Sequence, residues 1–349
     1  MKYKYEKFGL ANTDKMLKSA LSGGYAVPAF NFYNMESLQA VIAAARETKS
    51  PVILGVSESA LKYMGGEMCA AMVGAIIKEQ IANSKEQTKI KDNNKVASSA
   101  STTIADCGLL TTHCNTVALH LDHGHSFESC KAAIDFGFSS VMIDGSALPF
   151  RENIALTKKV VAYAHKFGVS VEAELGALAG FEDEHTNSNH SSFTDPIQAV
   201  EFVHKTGCDS LAIAIGTSHG AYKRHSESES LRFDILKKVA KLMPELPLVL
   251  HGASIIPQDL VAQINTFGGK IKGAMGIDPA QIRRAVGINI CKVNIDSDAR
   301  LAWTAAVRKE LRDAPTEFDP RKFLTSARGK MIEIYEYEIK KVMKSDGKM

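Results

Sequence analysis

The stretch Leu119-His-Leu-Asp-His-Gly-His125 sets a carboxylate and three imidazoles within seven residues, at the end of the apolar run Val117 to Leu121. An apolar run that stops at Asp and Gly reads as a strand ending in a turn. Charged and imidazole side chains in a core must find partners, so packing alone gives Asp122 and His123 little reason to stand side by side there. Two readings follow: one metal-ligating His next to an acid or base, or a hydrogen-bonded turn with surface histidines. The rest of the chain has to decide between them.

Outward from this stretch, short β-rich apolar runs alternate with longer amphipathic ones, as a parallel sheet with crossover helices requires. The expected strands are Tyr25–Asn31, Pro51–Val56, Thr116–Leu121, Ser139–Asp144, Val169–Glu174, Asp209–Ile215, Leu246–His251 and Asn289–Asn294. Helical patterns fall between them at Met35–Thr48, Glu67–Ala82, Phe127–Phe136, Arg151–Phe167, Pro196–Thr206, Leu231–Leu242 and Pro257–Phe267, with Asp298–Leu311 after the last strand. Pro196, Pro257 and Pro279 suit first helical turns. Strands such as Val-Ala-Leu-His-Leu are apolar on both faces, which fits a sheet covered by helices. Eight such units predict a single (β/α)8 barrel, and no linker divides residues 1–349 into two domains.

Composition narrows the function classes. The chain has 349 residues, 45% hydrophobic and 23% charged, which allows one large core. Its net charge of +3, from 42 basic and 39 acidic residues, carries neither a nucleic-acid footprint nor a membrane patch. No apolar run reaches membrane-spanning length and the N-terminus lacks a signal-peptide core, so a cytoplasmic protein is expected. The six cysteines contain no Cys-x-x-Cys pair and read as reduced thiols; Cys107, His113 and Cys114 match no usual zinc module.

Three segments depart from the alternation. The polar stretch Asn83–Asn115 joins a helix to a strand and reads as a flexible insertion on the face away from chemistry. Phe181–Thr194 follows a strand, so it belongs to the opposite face as a solvated loop or a lid. Beyond Asp313-Ala-Pro-Thr-Glu-Phe-Asp-Pro320, a charged helix over Phe323–Lys344 forms a C-terminal extension (313–349) suited to an oligomer contact.

Barrel active sites are built at the C-terminal ends of the strands. Those ends carry Asn31, Asp122 with His123, Asp144, Glu174, Gly216-Thr-Ser-His219-Gly-Ala-Tyr-Lys223, His251-Gly-Ala-Ser254 and Asn294-Ile-Asp296-Ser297. Each His alone reads as a capping or core residue. Three of them, His123, His219 and His251, from three strands are a catalytic zinc arrangement with an open position. The turns at Gly220 and Gly252 and the segment Gly268–Gly276 offer backbone amides to a phosphate, and Lys223, Arg300 and Arg321 offer charge.

At this point the chain resembles the class II, zinc-dependent fructose-1,6-bisphosphate aldolases. The matching stretches are Val27-Pro-Ala-Phe-Asn-Phe, Val117-Ala-Leu-His-Leu-Asp-His-Gly124, Val141-Met-Ile-Asp-Gly-Ser146, Val171-Glu-Ala-Glu-Leu-Gly176, Gly216–Lys223, Leu250-His-Gly-Ala-Ser254, Lys292-Val-Asn-Ile-Asp-Ser-Asp298 and Phe318-Asp-Pro-Arg-Lys-Phe323. The resemblance implies that His123, His219 and His251 bind the catalytic zinc, with Asp144 and Glu174 serving an alternative metal position. It implies that Asp122 exchanges a proton with the C4 hydroxyl and that Glu182 handles the C1 proton of dihydroxyacetone phosphate. Asn31, Gly220, Lys223, Gly252, Ser254, Asn294, Asp296 and Ser297 look like the cradle for one phosphate and the triose hydroxyls, with a monovalent cation near the phosphate loop. Arg300 and Arg321 look like contacts for the other phosphate, the latter reaching across the interface of a homodimer or homotetramer.

The residue types suit that chemistry independently. Retro-aldol cleavage needs a base for the C4 hydroxyl and an electrophile for the enediolate left behind; Asp122 and zinc supply them. No lysine ends a strand outside the phosphate-type loop, which argues against a Schiff base. The loop reads His-Gly-Ala-Ser where many members have His-Gly-Gly-Ser-Gly, a form that resembles the tagatose-bisphosphate aldolases, whereas Asp296 with Arg300 matches the fructose branch. Fructose 1,6-bisphosphate is the expected substrate of this aldehyde-lyase and tagatose 1,6-bisphosphate the alternative. A barrel metal hydrolase and a non-catalytic scaffold are the readings from other classes.

Overall fold

A computed structural model describes residues 3–79, 116–177, 179–182, 185–187, 192–221 and 231–349, with 179–182 and 185–187 as backbone only. The insertion Asn83–Asn115 with Cys107, His113 and Cys114, and Lys223, lie outside the described residues.

Eight parallel strands close into a barrel in the order β1, β11, β10, β8, β5, β4, β3, β2. They are β1 Val27–Asn31, β2 Val52–Ser57, β3 Val117–Gly124, β4 Ser140–Ile143, β5 Ser170–Leu175, β8 Ser210–Ile213, β10 Leu248–Leu250 and β11 Ile290–Ile295. Each expected strand is present, with most ends moved by one or two residues. The largest change is β3, which runs on to Gly124 and so contains Asp122 and His123.

The helices α1 Thr13–Gly23, α2 Met35–Thr48, α3 Glu58–Met64, α4 Gly66–Glu79, α5 Phe127–Phe136, α6 Phe150–Ala164, α7 Pro196–Thr206, α8 Phe233–Leu242, α9 Gln258–Thr266, α10 Pro279–Val286, α11 Ser297–Asp313 and α12 Pro320–Tyr337 pack around or below the sheet. Capping explains many of their starts: Asn34 and Ser126 make capping boxes, and Asp195, Asp278 and Asp319 accept amides ahead of a proline at the first helical position. Pro257 is itself the cap of α9, one residue earlier than expected. α3, which the sequence reading passed over, is a short helix capped by the Ser57 hydroxyl.

α1 was also passed over, although Asn12 caps it and Met16, Leu17 and Ala20 mark its buried stripe. It plugs the N-terminal end of the barrel, packing with the inward-facing Val27, Ala29, Ile53, Ala118 and Cys291. The main core lies between sheet and helices, so strands are apolar outward as well as inward. At about 25 cal/mol per Å² of apolar surface, that double-sided burial drives the fold.

The C-terminal extension is partly core. α12 packs on α2 and α11. A π-helical turn, Glu338–Met343, then runs beneath β1, where the Ala26 amide donates to the Met343 carbonyl at 3.0 Å. The tail is pinned further by Ser50 to Ser345 (2.7 Å) and by the Gly347 amide to the Thr48 carbonyl (2.9 Å). Among the described residues no single helix is long and apolar enough to cross a membrane; α3 with α4, bent by 86°, passes that test as a pair by length and composition only.

Candidate active site

A bulge in β3 builds the centre of the site. Leu121 pairs with Val141 and Gly124 with Ile143, so Asp122 and His123 together stand against one residue of β4. His123 takes a φ of 48°, in the left-handed region. Neighbours on a regular strand face opposite ways, whereas the bulge turns both side chains toward the barrel mouth. Both are buried, with His123 Nε2 4.0 Å from Asp122 Oδ1.

Three imidazoles gather there. His219 sits on the two-residue strand β9, Ser218–His219, and His251 directly follows β10. The His123 ring lies 4.5 Å from that of His251 and 5.0 Å from that of His219, both edge-on, and the latter two are 6.1 Å apart. His123 Nε2 and His251 Nδ1 approach to 2.8 Å. The remaining nitrogens face carboxylates: His123 Nδ1 is 3.0 Å from Asp144 and 3.8 Å from Glu174, and His251 Nε2 is 2.7 Å from Glu172. When each of these donates its N–H to the acid, the two facing nitrogens both present lone pairs, which a cation satisfies.

The donor set therefore fits zinc. Ligand atoms of Asp122, His123 and His251 lie within 4.8 Å of one another, and so do those of His123, Asp144 and Glu174. The second group contains both residues expected for an alternative position. Burial, with His123 and Lys292 nearby, keeps His251 neutral, the form a metal requires. Burial alone would raise Asp144, but its hydrogen bond from His123 holds it well below the usual carboxylate range.

Asp122 is held ionised as well. Its Oδ2 accepts from the Asn31 carboxamide at 2.8 Å and its Oδ1 from that of Asn294 at 2.7 Å. Burial opposes the charge, yet His123, His251, Lys292 and the Asn31 donor outweigh it and bring the group to about 2.

Beneath these residues lies a polar layer that strand-end reading missed. Lys292, fully buried on β11, donates to Glu172 at 2.7 Å and stands 3.2 Å from His120 Nε2, while His120 Nδ1 meets the Ser140 hydroxyl at 2.8 Å. Glu172 thus bridges Lys292 and His251. The signal was present: Glu172 and Glu174 are two apart on one strand, as are His120 and Asp122, and Lys292 and Asn294, so each pair shares the inward face. Lys292 lies below the cavity and does not line it.

The cavity is lined by Asn31, Asp122, His219, Gly220, His251, Gly252, Ser254, Asn294, Asp296, Ser297 and Arg300, with Ser57 and Ile295. Ser57, just beyond the expected end of its strand, was passed over together with α3, which it caps. Gly252 has a φ of 61°, and a Cβ there would come within 2.6 Å of the Ser218 carbonyl oxygen, so the His219 and His251 loops can pack together only through a glycine. Ala253 is buried without a left-handed φ, which explains why this turn accepts a side chain there.

The segment Gly268–Gly276 does not line the cavity, contrary to its expected part in phosphate contact. Its end braces both loops instead, through Met275 to the Ala221 carbonyl (2.9 Å) and Ile277 to that of Ser254 (3.0 Å). Ser297 opens the 17-residue α11, whose N-terminus faces the cavity. Arg300 pairs with Asp296 at 2.8 Å and lies 5.4 Å over the Tyr33 ring. Arg321 is outside the cavity; its side chain is 87% exposed and paired with Asp319.

Glu182 is described by backbone only. It ends strand β6, Ala179–Glu182, which pairs with β9 through Gly180 and His219 and with strand β7, His185–Asn187, through Glu182 and His185. The expected loop is thus partly a hairpin joined to the His219 strand.

A family model described as Fructose-bisphosphate aldolase class-II matches residues 11–348. The fructose-bisphosphate aldolase of Treponema pallidum is 43% identical over 357 residues, covering 99% of both chains, and that of Thermus caldophilus is 44% identical over 92% of this chain and 93% of its own. Among solved structures, the YdjI aldolase from Escherichia coli K12 superposes with a TM-score of 0.69 at 30% identity, over 97% of this chain and 99% of that one. With the closed barrel and the buried site described above, this chain belongs to the class II fructose-bisphosphate aldolase family.

Proposed function

We propose that the chain is a lyase that reversibly cleaves fructose 1,6-bisphosphate to dihydroxyacetone phosphate and glyceraldehyde 3-phosphate, a step of glycolysis and gluconeogenesis. The observation that carries this reading is the buried Asp122 carboxylate, which accepts from two carboxamides beside three converging imidazoles. His123, His219 and His251 would hold the zinc, and Asp144 with Glu174 a second position. When bound, zinc supplies Lewis-acid polarisation of the ketose carbonyl and offsets the charge that develops as the C3–C4 bond breaks.

Asp122 takes the proton from the C4 hydroxyl, and in the synthetic direction returns it. The Asn31 and Asn294 amides that orient Asp122 leave their carbonyl oxygens buried and with no donor among the described residues. Gly220, Gly252, Ser254, Ser297 and Lys223 would cradle one phosphate with the help of the α11 N-terminus, with a monovalent cation alongside. Asp296 and Arg300 take the far half of the substrate, and Glu182 the C1 proton of the triose. Further parts of the reading are a single domain, a cytoplasmic location, and a homodimer or homotetramer in which Arg321 serves a neighbouring site.

The test is triose phosphate release from fructose 1,6-bisphosphate measured beside tagatose 1,6-bisphosphate. Preference for fructose bisphosphate is expected. Faster cleavage of the tagatose isomer would transfer the assignment to that substrate, and cleavage of neither would sink the aldolase reading.

A further inference from the structure

Two buried carboxyl groups connect the C-terminal helix to the loop after His251. Asp298, fully buried in the first turn of α11, accepts from the Ile255 amide at 2.7 Å and the Ile256 amide at 2.6 Å. Ile256 holds a φ of 54°, a left-handed conformation that is strained for a β-branched residue. Such a turn persists only where its surroundings impose it. Here the imposition comes from Asp298, and the turn so fixed presents Gly252 and Ser254 to the cavity.

Facing Asp298 is Glu338, the first residue of the π-helical turn, 1% exposed. Neither of its oxygens meets a donor among the described residues. The charged group acting on it is Asp298, from α11, and the Tyr335 hydroxyl stands one turn before it on its own helix. An ionised carboxylate buried beside a second one, without donors, is not tenable. Burial and Asp298 accordingly push the Glu338 carboxyl far above its usual range.

We infer that Glu338 and Asp298 share one proton, and that through this pair the C-terminal helix sets the Gly252–Ile256 loop, making Glu338 a positioning residue for the substrate phosphate. The phosphate role rests on the aldolase reading, whereas the shared proton does not. Asp298 keeps both amides only while Glu338 stays neutral, because a second charge would force the two carboxyl groups apart.

The experiment compares Glu338→Gln, which keeps a neutral donor, with Glu338→Leu, which keeps the volume and loses it. Glu338→Leu is expected to raise KM for fructose 1,6-bisphosphate about tenfold with kcat within about threefold, and Glu338→Gln to restore KM to within about twofold of the parent. A leucine variant with unchanged KM, or a glutamine variant as impaired as leucine, would overturn the positioning role. A second arm needs no substrate and follows unfolding free energy from about pH 5 to 9. A carboxyl whose folded pKa lies above its unfolded one contributes stability below the unfolded value and loses it as pH rises toward the folded value. The parent should therefore lose stability relative to Glu338→Gln as pH rises; parallel curves would overturn the shared proton. Failure of the parent to cleave the bisphosphate would remove the aldolase reading and leave this second arm to decide the carboxyl pair.

Discussion

His123 Nε2 lies 2.8 Å from His251 Nδ1, with the opposite nitrogen of each ring turned to a carboxylate, Asp144 for one and Glu172 for the other. When each ring donates to its acid, the two facing nitrogens direct their lone pairs at one another, and a divalent cation relieves that opposition. Zinc should therefore stabilise the fold as well as support turnover. At free zinc about a thousand times its dissociation constant, the expected gain is about 4 kcal/mol, read as a rise in the unfolding midpoint that a chelator reverses. An identical midpoint with and without zinc, at micromolar protein, would remove the metal from this site.

Asp122 stands beside the imidazoles without being needed to orient them. Asp122→Ala should retain zinc at one equivalent, measured by elemental analysis, while kcat falls by about 10²–10⁴, the usual range for loss of a general acid or base. Loss of zinc in this variant would make Asp122 a ligand, an outcome its place within 4.8 Å of the His123 and His251 nitrogens renders worth measuring.

Much of this was legible in the sequence because a parallel barrel writes itself twice: in apolar runs buried on both faces, and in polar residues clustered where those runs stop. Asp122, His251 and Asn294 were found by that rule. His123 was found by it for an incomplete reason, since strand alternation would turn it away from Asp122 and only the β3 bulge brings it back. Bulges follow from pairing partners, which a single strand does not display. Glu172 and Lys292 were passed over because attention to strand ends omits the layer below, although the two-residue spacing to Glu174 and Asn294 places them there. The buried Asp298 and Glu338 contact joins residues forty positions apart, and nothing in either local pattern announces it.

That lower layer makes a further prediction. Lys292 and Glu172 are both buried, and His251 Nε2 depends on the same glutamate. Removing one partner of a buried pair leaves a charge uncompensated, so Lys292→Met should cost about 3–5 kcal/mol of unfolding free energy in urea. Because Lys292 also fixes the glutamate that orients His251 Nε2, zinc affinity should fall by about 10–100-fold. Stability within about 1 kcal/mol of the parent would mean that the pair is replaceable by packing.

Arg321 gives the sharpest test of assembly. Its side chain is exposed and, among the described residues, paired with Asp319, and it does not reach the cavity that the resemblance assigns to it. If a neighbour's Arg321 completes each site, Arg321→Ala and Asp122→Ala should complement each other when co-assembled. In a mixed dimer, the subunit that lacks Arg321 keeps Asp122 and receives an intact Arg321 from its partner, giving one sound site. Random pairing makes about half the dimers mixed, so about a quarter of the parental sites should return. An arginine acting within its own chain cannot produce this recovery, because the subunit that retains Asp122 still lacks its arginine. Activity equal to the average of the two separate variants would therefore place Arg321 outside any shared site.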